Sequence, residues 1–252
     1  MDLTKESHLS YDEADGNSVV RCNMTFCEKC IGRTVSMCSA LNGNEIKLLS
    51  DASIKISKRS KQVICAEGEL AEYLYNVQSG CVRISKMLSD GRRQVIDFLF
   101  PGDYFGLACN SGYNYSAETI TDVNLCRMPR NVILEKIKEI PAFGKKILDI
   151  TIHELLETQE QRLLLGRKSA KERLCSFLLT INARTSKVDF IKKNHILLPM
   201  SRADIADYLG LTIETVSRQF TILAKDNIIS LENSPLVRII DIEELKLIAS
   251  GG

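Results

Sequence analysis

The stretch "SRADIADYLGLTIETVSRQFTILAKDNII", residues 201–229, decides how the C-terminal part of the chain is built. Ser201 can cap a helix running through Tyr208 or Leu209, Gly210 can make the turn, and Thr212 can cap a second helix. Two short helices around a glycine turn are the signature of a helix-turn-helix. In the second helix Val216, Phe220 and Leu223 fall on one face and would pack on Ile205 and Leu209. Glu214, Ser217, Arg218 and Thr221 fall on the other, at i, i+3, i+4 and i+7. Arginine can donate two hydrogen bonds to guanine O6 and N7, glutamate can accept from cytosine N4, and serine can do either. A plain solvated helix face would carry the same residue types. The caps, the turn, the packing face and the local charge together favour DNA, since residues 167–225 hold eleven Lys/Arg against five Asp/Glu in a chain whose formal net charge is only +1. Ser201, Arg202 and Thr212, at the two helix starts, are expected to meet DNA with the exposed face. After it, "IISLENSPLVRIIDI" reads as two strands around an Asn-Ser-Pro turn, a wing against the DNA backbone.

Upstream, "AKERLCSFLLTI" (170–181) reads as one further helix, opening a second, α-rich domain at about Ser169. From Pro141 to about Leu165 turn signals vanish, and Phe143, Ile147, Ile150, Leu155 and Leu156 keep helical spacing, so a single long helix is expected. A polar band from Glu157 to Arg162 interrupts its apolar stripe. The helix can be a connector packed on its own domain or a dimer seam; a seam with ions near its middle would be weak and switchable. From about 52 to 130 short runs such as "KQVICAEGE", "YLYNVQSG", "CVRISKMLSDG" and "RQVIDFLFPGD" are separated by Ser-Gly, Asp-Gly and Pro-Gly. They predict an antiparallel sandwich or barrel, with Ser89-Asp90-Gly91 as a hairpin turn.

At 252 residues, 44% hydrophobic and 26% charged, the chain has room for two domains and the composition of a soluble protein. No apolar run approaches the roughly 20 residues that span a bilayer. The first residues have neither a basic start nor an apolar stretch, so residues 1–21 are expected to be a flexible tail and the chain cytoplasmic.

In a reducing compartment clustered thiols bind metal or do redox work more often than they pair. "CNMTFCEKCIGRTVSMC", residues 22–38, holds four of the nine cysteines. The three histidines, His8, His153 and His195, lie far from it in sequence, which disfavours a mixed Cys/His zinc finger and leaves all-thiolate ligation. Cys27 and Cys30 form the tight pair found in cluster-binding runs. The same pair could be the dithiol of an oxidoreductase, but no βαβ pattern surrounds it. Cys65, Cys81, Cys109 and Cys175 sit within strand or helix runs and read as small buried hydrophobes.

The order of these parts resembles the CRP/FNR family of bacterial transcription regulators over roughly residues 25–245. "LGLTIETVSR" is the most specific stretch, with Glu214, Ser217 and Arg218 at the base-reading positions of the FNR branch. The resemblance implies an α+β chain: flexible tail 1–21, cysteine segment plus β-roll sensory domain 22–140 of the jelly-roll, cyclic-nucleotide-binding type, dimerisation helix 141–167, and winged helix-turn-helix 168–252. It implies a regulator rather than an enzyme, with double-stranded DNA carrying TTGAT-type half-sites, RNA polymerase and a second copy of the chain as partners. FNR-like members hold an oxygen-labile [4Fe-4S] cluster, and the matching ligands here are Cys27, Cys30, Cys38 and Cys126. Zinc is the alternative metal, because four thiolates suit it equally well, and a family member that senses through thiol oxidation is the alternative without a cluster. Cys22 is a fifth thiol, set aside in favour of the tight pair. In the CRP branch cyclic AMP meets a Gly-Glu and an Arg-Ser pair; "FGLACNSGYNYSAET" (105–119) lacks that glutamate and has Tyr115-Ser116 in place of Arg-Ser. No cyclic nucleotide is expected, since a buried phosphodiester would lack its charge-assisted contact.

Overall fold

The structure, a computed structural model, describes residues 10–12, 17–22, 27–30, 32–107, 111–185, 194–232 and 235–251. The chain divides into two compact units, one of residues 1–83 and 99–149, the other of residues 84–98 and 150–252.

The first unit is built on the sheet β1-β2-β3-β10-β5-β8. Its strands are β1 (Ser10–Asp12), β2 (Asn17–Arg21), β3 (Ile54–Lys58), β5 (Tyr73–Ser79), β8 (Tyr104–Phe105) and β10 (Val123–Pro129). Strand β10 is central, antiparallel to β3 on one side and β5 on the other. Alternation along these strands makes two apolar faces. Tyr75 stacks on Phe105 with ring centroids 4.9 Å apart, and Val77 and Leu125 are fully buried. Leu74 and Met128 belong to the opposite face and are also buried, as is Met37 of the N-terminal segment. That segment comprises α1 (Gly32–Val35), a 3-10 turn (Met37–Ala40) and α2 (Gly43–Asp51), which buries Ile46 and Leu49. Asn42 caps α2 in a capping box with Glu45, the reciprocal arrangement that satisfies donors otherwise orphaned at a helix start.

The N-terminal tail was expected to run to residue 21; instead Asn17–Arg21 form β2, paired with β3 from Ser18↔Ser57 to Arg21↔Ile54. A five-residue strand is too short to stand out as periodicity, and it forms here because β3 offers it an edge. A second sheet has the order β4-β9-β6-β7, from β4 (Val63–Cys65), β6 (Val82–Met87), β7 (Arg93–Leu99) and β9 (Ser116–Thr119). The turn between β6 and β7 falls at Ser89-Asp90-Gly91, where Gly91 has φ +85° and Leu88 N–H donates to Arg92 C=O at 2.8 Å. Helix α3 (Arg130–Glu139) follows β10, and Ile140, in extended backbone, separates it from α4 (Pro141–Arg167). A residue preceding proline is pushed out of the helical region, which explains the break. Phe143 and Ile147 of α4 are buried, whereas Leu148, Ile152, Leu155, Leu156 and Leu163 are 48–58% exposed in the single chain.

The second unit contains α5 (Ala170–Thr185), β11 (His195–Leu197), α6 (Arg202–Leu209), α7 (Ile213–Lys225), β12 (Ile229–Leu231), β13 (Leu236–Ile239) and α8 (Ile242–Ser250). Its sheet runs β11-β13-β12. The two strands expected after the second helix are β12 and β13, while part of the Asn-Ser-Pro turn lies outside the described residues. The third strand and α8 had not been anticipated. Asp241 caps α8, which packs Leu245, Ile248 and Ala249 into the core beside α5.

Residues 84–98, read from sequence as sensory-domain strands, group with this unit. Arg93 donates through Nε and Nη2 to Asp207 Oδ2 at 2.9 and 2.7 Å and through Nη2 to Asp204 Oδ1 at 2.8 Å. Gln94 donates to the Asp207 carbonyl at 2.6 Å, and Arg184 to Asp97 at 2.7 Å. Phe98, Phe177 and Tyr208 complete the contact as a ring cluster.

Candidate metal centre and nucleic-acid interface

Strand β2 ends at Arg21, and Cys22, held by its N–H to Ser53 C=O at 3.1 Å, is buried. Its Sγ lies 3.9 Å from Cys126 Sγ on β10. The sequence favours Cys27 and Cys30 over Cys22, but the pairing of β2 with β3 brings Cys22 to Cys126. Cys27, Cys30 and Cys38 gather on the same region. Cys126 feels the charge of Cys22 and Cys38, Cys38 that of Cys30 and Cys27, and Cys27 that of Cys22 and Cys30. The loop between them is braced by Arg33, whose Nη1 donates to the carbonyls of Cys38 at 2.7 Å and Leu41 at 2.6 Å. From β5, the Gln78 side-chain amide approaches Cys30 Sγ at 3.6 Å.

Burial is the leading influence on Cys27 and Cys38. It raises Cys27 above the ordinary thiol value and pushes Cys38 up to about 12. The contact between Cys22 and Cys126 holds Cys22 below the ordinary value and, with burial, drives Cys126 well above it. Buried neutral thiols of this kind would release protons on becoming metal-bound thiolates, so a metal would bind them more strongly as pH rises. Among the described residues no group of three or more His, Cys, Asp or Glu is closed around a point where a metal ion would sit. Cys65, Cys81 and Cys175 are buried apart from the loop, and burial pushes Cys175 up to about 11. Cys109 lies outside the described residues.

At "FGL" a Cβ on Gly106, which has φ +98°, would come within 2.5 Å of Tyr73 C=O, so only glycine fits. The Gly106 N–H donates to the Tyr115 hydroxyl at 2.8 Å. Tyr115 therefore occupies this backbone donor.

The second unit shapes a helix-turn-helix. Ser201 caps α6 in a capping box with Asp204, Gly210 ends it in the left-handed conformation at φ +62°, and Thr212 caps α7 through Thr215 N–H. Replacing Ser201 with alanine should lower the stability of this unit by about 1 kcal/mol, read as a reduced urea midpoint at unchanged slope. Val216, Phe220 and Leu223 are buried, whereas Glu214, Ser217, Arg218 and Thr221 are exposed. Hydrogen bonds from its own backbone N–H and from Thr212 hold the Glu214 carboxyl below the usual carboxylate range, so it is an acceptor at neutral pH. Ser201 and Thr212 are exposed caps. Arg202, expected to reach DNA, lays its guanidinium 3.3 Å from the centre of the Phe220 ring, and burial lowers its pKa. In this structure its charge braces α6 against α7.

A sensory β-domain joined to a capped, basic helix-turn-helix defines a transcription regulator. Two family models match: the cyclic nucleotide-binding domain over residues 55–139 and the Crp-like helix-turn-helix domain over residues 172–248. The nitrogen fixation regulation protein FixK of Bradyrhizobium diazoefficiens is 37% identical over 209 residues, covering 83% of this chain and 88% of that protein. The transcriptional activatory protein AadR of Rhodopseudomonas palustris is 36% identical over 223 residues, covering 88% and 90%. The solved structure of FixK2 from Bradyrhizobium japonicum superposes with TM-score 0.72 at 36% identity, over 77% of this chain and 96% of that one. The chain belongs to the CRP/FNR family of DNA-binding transcription regulators. No helix among the described residues is long and apolar enough to cross a membrane.

Proposed function

We propose that the chain is an oxygen-responsive regulator that binds a two-fold symmetric, FNR-type DNA site as a homodimer and recruits RNA polymerase there, with Cys27, Cys30, Cys38 and Cys126 holding a [4Fe-4S] cluster. The observation that carries this reading is that thiols of the N-terminal segment lie beside Cys126: Cys22 Sγ is 3.9 Å away although 104 positions earlier in the chain, and Cys38 acts on Cys126 through its charge. The donor chemistry fits, because the converging groups are soft sulfur ligands supplied by a loop and by a sheet strand. When bound, the cluster supplies an oxygen-labile link between them. The residues themselves do the rest: Arg33 fixes the loop, and β10 presents Cys126 from the middle of its sheet. The exposed residues Leu148, Ile152, Leu155 and Leu163 lie along one side of α4 and support a helix seam between two copies. Two paired recognition helices read two half-sites, with Arg218 donating to the guanine.

Arg218→Ala should weaken binding to a duplex with two TTGAT half-sites roughly 10- to 100-fold and relax preference at the guanine, while leaving the fold intact. Titration of the wild-type protein before and after air tests the sensor. The reading expects strong binding only before exposure; equal binding in both states refutes it.

A further inference from the structure

Behind the cysteines lies an amide without a job. Asn76, in the middle of β5, is 2% exposed, and neither Nδ2 nor Oδ1 has a hydrogen-bond partner among the described residues. Buried amides are rarely left so, and an orphan of this kind calls for a partner beyond the described residues. Its position says where that partner lies. Asn76 is directly opposite Cys126 in the antiparallel pair of β5 and β10, so the two side chains share one face of the sheet. Gln78, two residues on, shares that face, and its Nε2 stands 3.6 Å from Cys30 Sγ. Leu74, two residues back, is fully buried at 0% exposure. The row on β5 facing the thiols thus runs apolar, amide, amide. A core position there would be filled most simply by leucine or valine, as at Leu74.

We propose that Asn76 and Gln78 are positioning residues of the metal centre, whose side-chain N–H groups donate hydrogen bonds to metal-bound sulfur, Asn76 on the Cys126 side and Gln78 to Cys30. The inference rests on the reading of the cysteines as a metal site but not on which metal they hold. Thiolate and sulfide sulfurs carry negative charge, and amide N–H donors aimed at them stabilise the bound state and raise the reduction potential of an iron-sulfur centre. In the metal-free chain the same amide is a burden, so its replacement by an apolar group of similar size should not destabilise that form.

The test compares full-length wild-type, Asn76→Leu, Asn76→Ala and Gln78→Leu proteins purified without air. Iron, sulfide and zinc content of the wild type tests the cluster reading by itself. Retention relative to wild type tests the amides: loss of the visible chromophore in air, or transfer to a chelator if the metal is zinc, should quicken roughly 10-fold or more in each Asn76 variant. With iron and sulfide bound, the midpoint potential should move to more negative values. Thermal unfolding of the metal-free Asn76→Leu protein should occur at or above the wild-type temperature. Unchanged retention and potential, or equal destabilisation of metal-free and metal-loaded forms, would assign Asn76 a purely structural or water-bound role and overturn the proposal. A wild type that binds no metal overturns it together with the reading beneath it, whereas zinc with faster loss in the variants overturns only the iron-sulfur reading.

Discussion

Cys126→Ser is expected to give a protein that retains its helix-turn-helix but binds a two-half-site duplex ~10²–10⁴-fold more weakly than air-free wild type, the penalty of reading one half-site instead of two. Cys126 is the sheet's contribution to a thiol group otherwise drawn from residues 22–38, and β10 holds it between β3 and β5. Serine keeps the shape and hydrogen bonding of the strand but does not supply the soft thiolate. The N-terminal loop then loses its attachment to β10, and whatever folding energy metal binding contributes there is lost with it. The second unit contains neither Cys126 nor its neighbours, so its own unfolding midpoint should not move. Cys65→Ser is the matched control. Cys65 is also a buried thiol in the first unit, but it pairs across β4 and β9 and should leave DNA affinity near the wild-type value. Equal losses in both variants would mean that any buried thiol matters equally, contrary to a centre built on Cys126.

Arg93→Ala should destabilise the second unit by about 2–3 kcal/mol, a value reduced from that of a fully buried pair because the Arg93 and Asp207 side chains are 26% and 32% exposed. Asp204 is the costly partner to abandon: its side chain is 8% exposed, and the Ser201 hydroxyl that also donates to it at 2.7 Å cannot neutralise it. As the N3 residue of α6, Asp204 closes the capping box at the start of the helix-turn-helix. The loss should therefore appear both as a lower unfolding temperature and as weaker DNA binding. Lysine should not restore either, because a point charge cannot hold two carboxylates in the fork that guanidinium makes. Arg92 provides the comparison one residue away, since its pair with Asp90 is solvent-exposed at 77% and 50%. Arg92→Ala should leave the unfolding temperature unchanged. Identical behaviour of the two variants would show that the Arg93 contacts contribute nothing.

What was legible in the sequence was local. Ser201, Gly210 and Thr212 act within a few residues of themselves, and the alternation of Val216, Phe220 and Leu223 with Glu214, Ser217 and Arg218 needs only the helical period. The hairpin at Ser89-Asp90-Gly91 is similarly self-contained. What escaped depends on distant partners. Cys22 gains its place from β2 pairing with β3, which no periodicity in "NSVVR" announces. Arg93 meets Asp204 and Asp207 across more than a hundred residues, so "RQVIDFLF" reads only as a strand. Arg202 was counted among the DNA contacts from its position at a helix start, and its stacking on Phe220 follows from how α6 crosses α7. The break at Ile140 did have a signal, the proline after it, which the helical spacing of the later residues obscured.

The proposed function requires that sulfur atoms from the N-terminal loop and from β10 jointly hold an oxygen-labile cluster. The most direct measurement is metal and acid-labile sulfide per chain in protein purified without air, wild type beside Cys126→Ser and Cys65→Ser. The account predicts ~4 iron and ~4 sulfide in the wild type and in Cys65→Ser, and little of either in Cys126→Ser. Zinc in place of iron, or full iron and sulfide retained without Cys126, would contradict it.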